Sequence, residues 1–390
     1  MNIIYIVFAP LSINYSRFLN IQNFQQKGFN VHICDVSHLF YTKEQLDTYF
    51  NFTSEFYKPN LQHVSILSNI DELKKYFYKF EKSNTLIYYT GRSFYKKYKE
   101  SKIFNLIYLL NFKIILSEFA TEFYPVSVYE KLKFKYFIIK NKFNFRNYNK
   151  LYFIGSGKNI ENISKKILNK TCKFYSVPHP NYIWEKINEH DNGSVYVEES
   201  LNGSPDNNIM RVIGEKFKGQ IVGKTSFLND SKENSEIFYK KLNNFFKTFE
   251  KRYNTKITIA ASGKFSYKKN PFDGREIRYG DTINLINKSS YTLGHSSMAL
   301  WQSLISKKKL ILLTDDHLSL DKRFEIEAFS KKIKLRIFNL SNNIDLKEDY
   351  SNISKNYYDD KTNFFLNSSL YKKNFNEVMF DVANLIIKDN

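Results

Sequence analysis

Short apolar runs alternating with helix-period segments from end to end constrain this chain more than any other feature. In the first half the runs are Ile3–Phe8, Val31–Val36, His63–Leu67, Leu86–Thr90, Lys113–Ser117 and Lys150–Ile154. Between the first two lies Ser16–Lys27, where Phe18, Leu19 and Phe24 suit one helical face and Gly28 closes it. Between the third and fourth, Ile70–Lys82 sets Leu73, Tyr76, Phe77 and Phe80 on one side. Strands separated by helices cannot form hairpins, so the pattern predicts parallel sheets.

The second half repeats the architecture without repeating the sequence. Its runs are Val195–Val197, Gln220–Val222, Ile257–Ala261, Tyr291–Leu293, Leu310–Leu313 and Leu335–Phe338. The Glu236–Tyr253 segment carries Phe238, Leu242, Phe245, Phe246 and Phe249 at helical spacing. Phe375–Ile387 reads as a C-terminal helix able to pack on either half. A chain of 390 residues exceeds one ordinary core. The expected division is 1–175, a proline-containing linker at 176–193, and 194–390. The fold class is α/β: two Rossmann-like domains facing across a cleft. Pro178-His179-Pro180 lies in the linker and reads as a rigid crossover rather than a catalytic histidine.

Bulk properties narrow the setting. A net charge of +20 suits an anionic partner such as a phosphorylated substrate, an acidic membrane surface or nucleic acid. Cys34 and Cys172 alone are no disulfide framework and fit a reducing, cytoplasmic compartment. The N-terminal MNIIYIVFAP has no basic n-region and reads as a buried first strand. Ile103–Phe119 is interrupted by Asn105, Asn111 and Lys113, short of a membrane span. Lys131–Lys150 interleaves seven basic residues with aromatics, a pattern that fits either a peripheral contact with anionic membrane at its inner face or an ordinary surface helix.

The densest chemistry lies in Ser289–Asp315. A strand run ends in Gly294-His295-Ser296-Ser297, and a segment with Met298, Leu300, Trp301, Leu304 and Ile305 on a helical period follows. Gly294 is expected to permit the turn and one serine to cap the helix. Backbone N–H groups and two hydroxyls would then face a phosphate. Other strand ends add Glu198-Glu199, Ser262-Gly263-Lys264 and Asp315-Asp316; Arg275 and Thr282 lie just upstream of the serine pair. Glu198 or Glu199 is the candidate general base, with Glu118 and Glu122 after the fifth strand of the first half as alternatives. No G-x-G-x-x-G follows the first strand, so a dinucleotide fingerprint is absent.

On IAASGKFSYKKNPFDGR and LGHSSMALWQSL, the second half resembles the donor-binding domain of GT-B glycosyltransferases. The sialyl- and Kdo-transferase-like enzymes of bacterial surface-polysaccharide synthesis are the most similar in pattern. The resemblance implies a nucleotide-sugar donor, with a CMP-sugar favoured, and a glycan or lipid-linked acceptor. It places Ser296 and Ser297 at the donor phosphate and the two quoted segments, with Ser262, Gly263, Lys264, Arg275, Gly294 and His295, at the donor; Thr282 joins these candidates by its place just upstream of the serine pair. It implies no required cofactor or metal, the donor being a co-substrate, because lysines and the helix end balance the phosphate. Two departures stand out: Ser262-Gly263 replaces a usual His-Pro, and Trp301 replaces the glutamate of many nucleotide-diphospho-sugar enzymes. An epimerase of the same shape is the alternative enzyme. A nucleic-acid-binding protein is the alternative outside enzymology, although no recognised nucleic-acid module is visible.

Overall fold

The computed structural model describes residues 1–8, 19–44, 46–47, 64–90, 98–118, 132, 134–136, 138–140, 142, 148, 151–168, 171–180, 193–199, 232–261, 267, 269–342, 344, 346, 362, 364, 366 and 375–389. It divides into a first unit, Met1–Asn181 with Asn363–Asn390, and a second, Tyr182–Thr362.

The first unit holds seven strands: β1 (Asn2–Val7), β2 (Asn30–Asp35), β3 (Val64–Ile66), β4 (Thr85–Tyr89), β5 (Lys113–Glu118), β6 (Leu151–Gly155) and β7 (Lys173–Ser176). All pair in parallel, in the order β3-β2-β1-β4-β5-β6-β7. Its helices are α1 (Ile21–Gln26), α2 (Ile70–Phe77), α3 (Tyr98–Leu109), α4 (Gly157–Ile167) and, from the far end of the chain, α9 (Phe375–Lys388). Alternation along each strand supplies two cores. Ile4, Ile6, Ile87, Tyr89, Ile114, Leu116 and Phe153 point to one, where α2, α3 and α4 contribute Leu73, Phe77, Phe104, Ile107 and Ile160. Ile3, Tyr5, Val7, Leu86, Tyr88, Ile115 and Ile154 point to the other.

That second face corrects the expected domain division. It is covered by α1 and by Val378, Met379, Val382, Ala383 and Ile386 of α9, so residues 363–390 belong to the first unit rather than to 194–390. A parallel sheet must be covered on both sides. The five apolar side chains of α9 do so at roughly 1.5–3 kcal/mol for each fully buried larger side chain. Lys173–Ser176, covered by none of the expected strands, forms β7 at the sheet's edge, so the expected linker's first residue, Ser176, belongs to the sheet. His179 is buried; residues 181–192 of the expected linker lie outside the described set.

The second unit holds β8 (Gly193–Val197), β9 (Ile257–Ala261), β10 (Ile277–Tyr279), β11 (Ser289–Gly294), β12 (Lys309–Thr314) and β13 (Ile337–Asn339). These also pair in parallel, in the order β10-β9-β8-β11-β12-β13. Its helices are α5 (Lys232–Tyr253), α6 (Thr282–Lys288), α7 (Trp301–Ile305) and α8 (Leu320–Ile333). The predicted phenylalanine stripe of α5 is entirely buried against Tyr196, Ile257, Ile259, Leu293 and Leu313. The expected strand Gln220–Val222 lies outside the described residues.

Each unit is thus α/β and Rossmann-like, a parallel sheet with helices packed on it. In the second, strand order reverses between β8 and β11. In open parallel sheets that reversal opens the crevice where ligands bind, outside the carboxyl ends of the strands. The residues following these two strands are Glu198-Glu199 and His295-Ser296-Ser297. Among the described residues no helix is long and apolar enough to cross a membrane.

Candidate functional site at the strand-order reversal

The turn after β11 is built around a carboxylate. Glu199 Oε1 accepts the backbone N–H groups of His295 (3.2 Å), Ser296 (2.7 Å) and Ser297 (2.8 Å). Its Oε2 pairs with Lys322 Nζ at 2.5 Å, and the same ammonium donates to Ser296 Oγ at 2.6 Å and to Glu325 at 3.2 Å. The backbone donors expected to face a phosphate are therefore collected by a side chain of the neighbouring strand end. Lys322, on α8 and only 3 % exposed, is held above its ordinary pKa: burial opposes this, but Glu199 and then Glu325 outweigh it. Burial likewise works to raise the Glu199 carboxyl, yet Lys322 and the Ser296 N–H bring it below its ordinary value. Charge-assisted bonds of this number make Glu199 a poor proton acceptor, which corrects its candidacy as general base.

The segment after the turn is shorter than its periodicity suggests. A 3₁₀ turn, Met298–Leu300, runs into the five residues of α7, and Ser297 Oγ caps it by accepting the Ala299 N–H at 3.3 Å. Gly294 serves packing rather than turn geometry. Its φ is not among the positive ones, and a Cβ there would meet Leu300 Cδ2 at 2.8 Å. Trp301 is buried against Phe329.

His295 turns into the core, which removes its side chain from the candidate donor contacts. It is 0 % exposed; Nδ1 lies 2.8 Å from the Leu313 carbonyl and Nε2 lies 2.9 Å from Tyr196 Oη. A carbonyl only accepts, so Nδ1 carries the hydrogen and Nε2 accepts from the tyrosine. Burial lowers its pKa to about 4. An unfolded histidine titrates near 6.5. The unfolded chain thus binds a proton that the folded one refuses, and stability falls as pH drops from about 6.5 to about 4. The expected loss across that window is about 3 kcal/mol, with one proton taken up on unfolding. Urea titrations at successive pH values measure it, and His295→Asn should flatten the slope.

Arg275 is also spent on structure. Its guanidinium grips both oxygens of Glu250 (3.0 and 2.7 Å), donates to Asn243 and the Phe272 carbonyl, and lies 5.1 Å over the Phe246 ring. It fastens the 270–275 loop to α5 and is unavailable to a donor. Thr282 opens α6, and none of the described bonds to Glu199, Ser296 or Ser297 involves it. Ser262, Gly263, Lys264 and Glu122 lie outside the described residues. Glu118 ends β5 of the first unit, its side chain undescribed.

Glu198 differs sharply from its neighbour. It is 4 % exposed, and its N–H continues the sheet by donating to the Ala260 carbonyl at 2.9 Å. Tyr196 and Tyr267 surround its carboxylate; their phenols are pushed far up, first by burial and next by Glu198. Tyr239 extends the group through a 3.3 Å contact with Tyr267. Sequence reasoning missed Lys322, Tyr196 and Tyr267. In a chain with 59 lysines and arginines and 29 tyrosines, residue type alone does not single them out.

The Asp315-Asp316 pair makes internal bonds. Asp315, fully buried, accepts from Lys241 (3.2 Å), Ser341 (2.9 Å), and the His317 backbone N–H (2.9 Å). The His317 ring lies 2.6 Å away, and Asp316 accepts from Asn339. Among the described residues no cluster of three His, Cys, Asp or Glu side chains is placed to hold a metal ion.

No protein-family profile matches the chain, and no curated protein matches it in sequence. Solved structures align with it over nearly the whole chain at low identity. UGT89C1 of Arabidopsis thaliana, crystallised with UDP, shares 10 % identity over 98 % of this chain and 99 % of its own, at a TM-score of 0.48. MurG of Acinetobacter baumannii shares 9 % over 99 % of each chain, at 0.44. The UDP-GlcNAc 2-epimerase of Neisseria meningitidis, bound to UDP-GlcNAc, shares 10 % over 99 % of this chain and 100 % of its own, at 0.40. Likenesses at this level assign no function.

Proposed function

We propose that the chain is a GT-B glycosyltransferase. It moves a sugar from a nucleotide-activated donor, a CMP-sugar, to a glycan or glycolipid acceptor in surface-polysaccharide synthesis, with inversion. The observation that carries this reading is the pairing, at the strand-order reversal of the second sheet, of a buried carboxylate (Glu198) with a braced serine turn (Ser296-Ser297).

The occupied turn bears on the donor. Glu199 neutralises Lys322 and takes the three backbone donors, so this turn offers a phosphate two hydroxyls and little net charge. Ser296 Oγ and Ser297 Oγ accept within the protein, which leaves each O–H to donate outward. That set suits the single phosphodiester of a CMP-sugar better than a diphosphate. Trp301 leaves position 301 without a carboxylate for a ribose or sugar hydroxyl. In the reaction the acceptor oxygen forms a bond to the anomeric carbon, the bond from that carbon to the phosphate oxygen breaks, and CMP departs. Glu198 takes the acceptor proton.

A panel of CMP-, UDP- and GDP-sugars, read by thermal shift and donor consumption, tests the reading. The CMP-sugar arm is expected to respond. Consumption of a UDP-sugar with appearance of its epimer and no acceptor would favour the epimerase instead. Ser296→Ala with Ser297→Ala should weaken donor binding at least about tenfold, since hydrogen bonds to charged groups contribute about 1.5–3 kcal/mol each. Unchanged affinity in that double variant removes the serine assignment.

A further inference from the structure

The segment 131–150 has seven basic residues and no acidic one. Its described residues between 132 and 142 are helical. Phe134 and Ile138 pack against the first core of the first unit. Leu132, Tyr136 and Ile139 do the opposite, at 60 %, 67 % and 56 % exposure. At 3.6 residues per turn these three fall within an arc of about 60°, on the side away from Phe134 and Ile138. Lys135 and Lys142 flank that arc on one side and Lys140 on the other, all exposed. The helix therefore has two apolar faces, one packed against its own unit and one offered outward between rows of lysine.

We infer that this outward face docks on an anionic lipid bilayer, with Leu132, Tyr136 and Ile139 entering the headgroup boundary and Lys135, Lys140 and Lys142 meeting lipid phosphates. An amphipathic helix lies in that plane when an apolar stripe is bordered by cations. The net charge of +20 acts in the same direction over longer range. A second copy of the chain is a poor occupant, because this segment has no carboxylate to meet the opposing lysines. A nucleic acid would use the lysines but has no need of a protruding leucine and isoleucine, which cannot stack on bases. The inference stands apart from the proposed activity, since bilayer binding requires neither donor nor acceptor.

Co-sedimentation of the full chain with phosphatidylglycerol-containing and pure phosphatidylcholine vesicles tests it. The wild-type protein should partition at least about tenfold better onto the anionic vesicles at low salt. Leu132→Ser with Tyr136→Ser and Ile139→Ser should lose about tenfold of that binding. Lys135→Gln with Lys140→Gln and Lys142→Gln should lose as much at low salt, and less as salt screens the lysines. Both variants leave Phe134 and Ile138 in place. Should either fail to fold, hydrogen exchange of the 132–142 amides in the wild-type chain, with and without vesicles, tests the same contact, and slower exchange on vesicles is expected. Equal vesicle binding by all three proteins, or unchanged exchange, would overturn the inference. So would binding to a DNA or RNA duplex in place of vesicles, or a dimer that the serine variant dissolves.

Discussion

Glu199→Ala is expected to lower the unfolding free energy by about 3–5 kcal/mol, the range for breaking a buried ion pair. The change leaves the Lys322 ammonium, 3 % exposed, without its nearest carboxylate, and strips three backbone N–H groups of their acceptor. Glu199→Gln keeps the shape and the acceptor but can aim an amide N–H at the lysine, so it should recover only part of the loss. Adding Lys322→Met to the glutamine variant removes the stranded charge and should restore at least half. The pH dependence follows from the two shifts. Glu199 sits below its ordinary 4.5, so its contribution is present above that value and lost as pH falls through the lowered one. Lys322 sits above 10.5, so its contribution holds below that value and is lost as pH rises through the raised one. Urea unfolding of the four proteins at neutral pH decides the matter. A loss below about 1 kcal/mol in the alanine variant would mean the pair does not brace this turn.

The second large effect concerns turnover. Glu198→Gln is expected to slow sugar transfer by about 10²–10⁴-fold, the usual contribution of a general base. Donor affinity should stay within about twofold, because the amide keeps the volume and the proposed donor contacts are those of the serine turn rather than of Glu198. Single-turnover transfer and donor titration on the same preparation separate the two. Full activity in this variant would move the base to the first unit, where Glu118 at the end of β5 is the next candidate.

The strands were legible because parallel sheets covered on both faces leave near-continuous apolar runs. Ile257–Ala261 matches its predicted bounds, and the α5 stripe from Phe238 to Phe249 is buried as its spacing requires. The edge strand Ile277–Tyr279 was not legible: it has three residues, and Arg278 and Tyr279 are exposed. Nor was the return of α9 to the first unit, because an apolar helical face does not say which sheet it will cover.

At the site, composition and order located the residues without distinguishing their duties. Glu198 and Glu199 are adjacent and chemically identical, and either suits a strand end. A strand's alternation and the position of Lys322, 123 residues further on, separate them: one carboxylate lies among tyrosines, the other closes the serine turn. His295 beside the serines reads as a ligand until burial shows both ring nitrogens engaged inside the core. The sequence by itself determined the alternation of elements, the parallel sheets and the strand ends that carry polar residues, because these depend on periodicity and local turn chemistry. Only the tertiary structure decided which charges neutralise one another there, because Coulomb energy depends on distance and burial, and both are set by parts of the chain far apart in order.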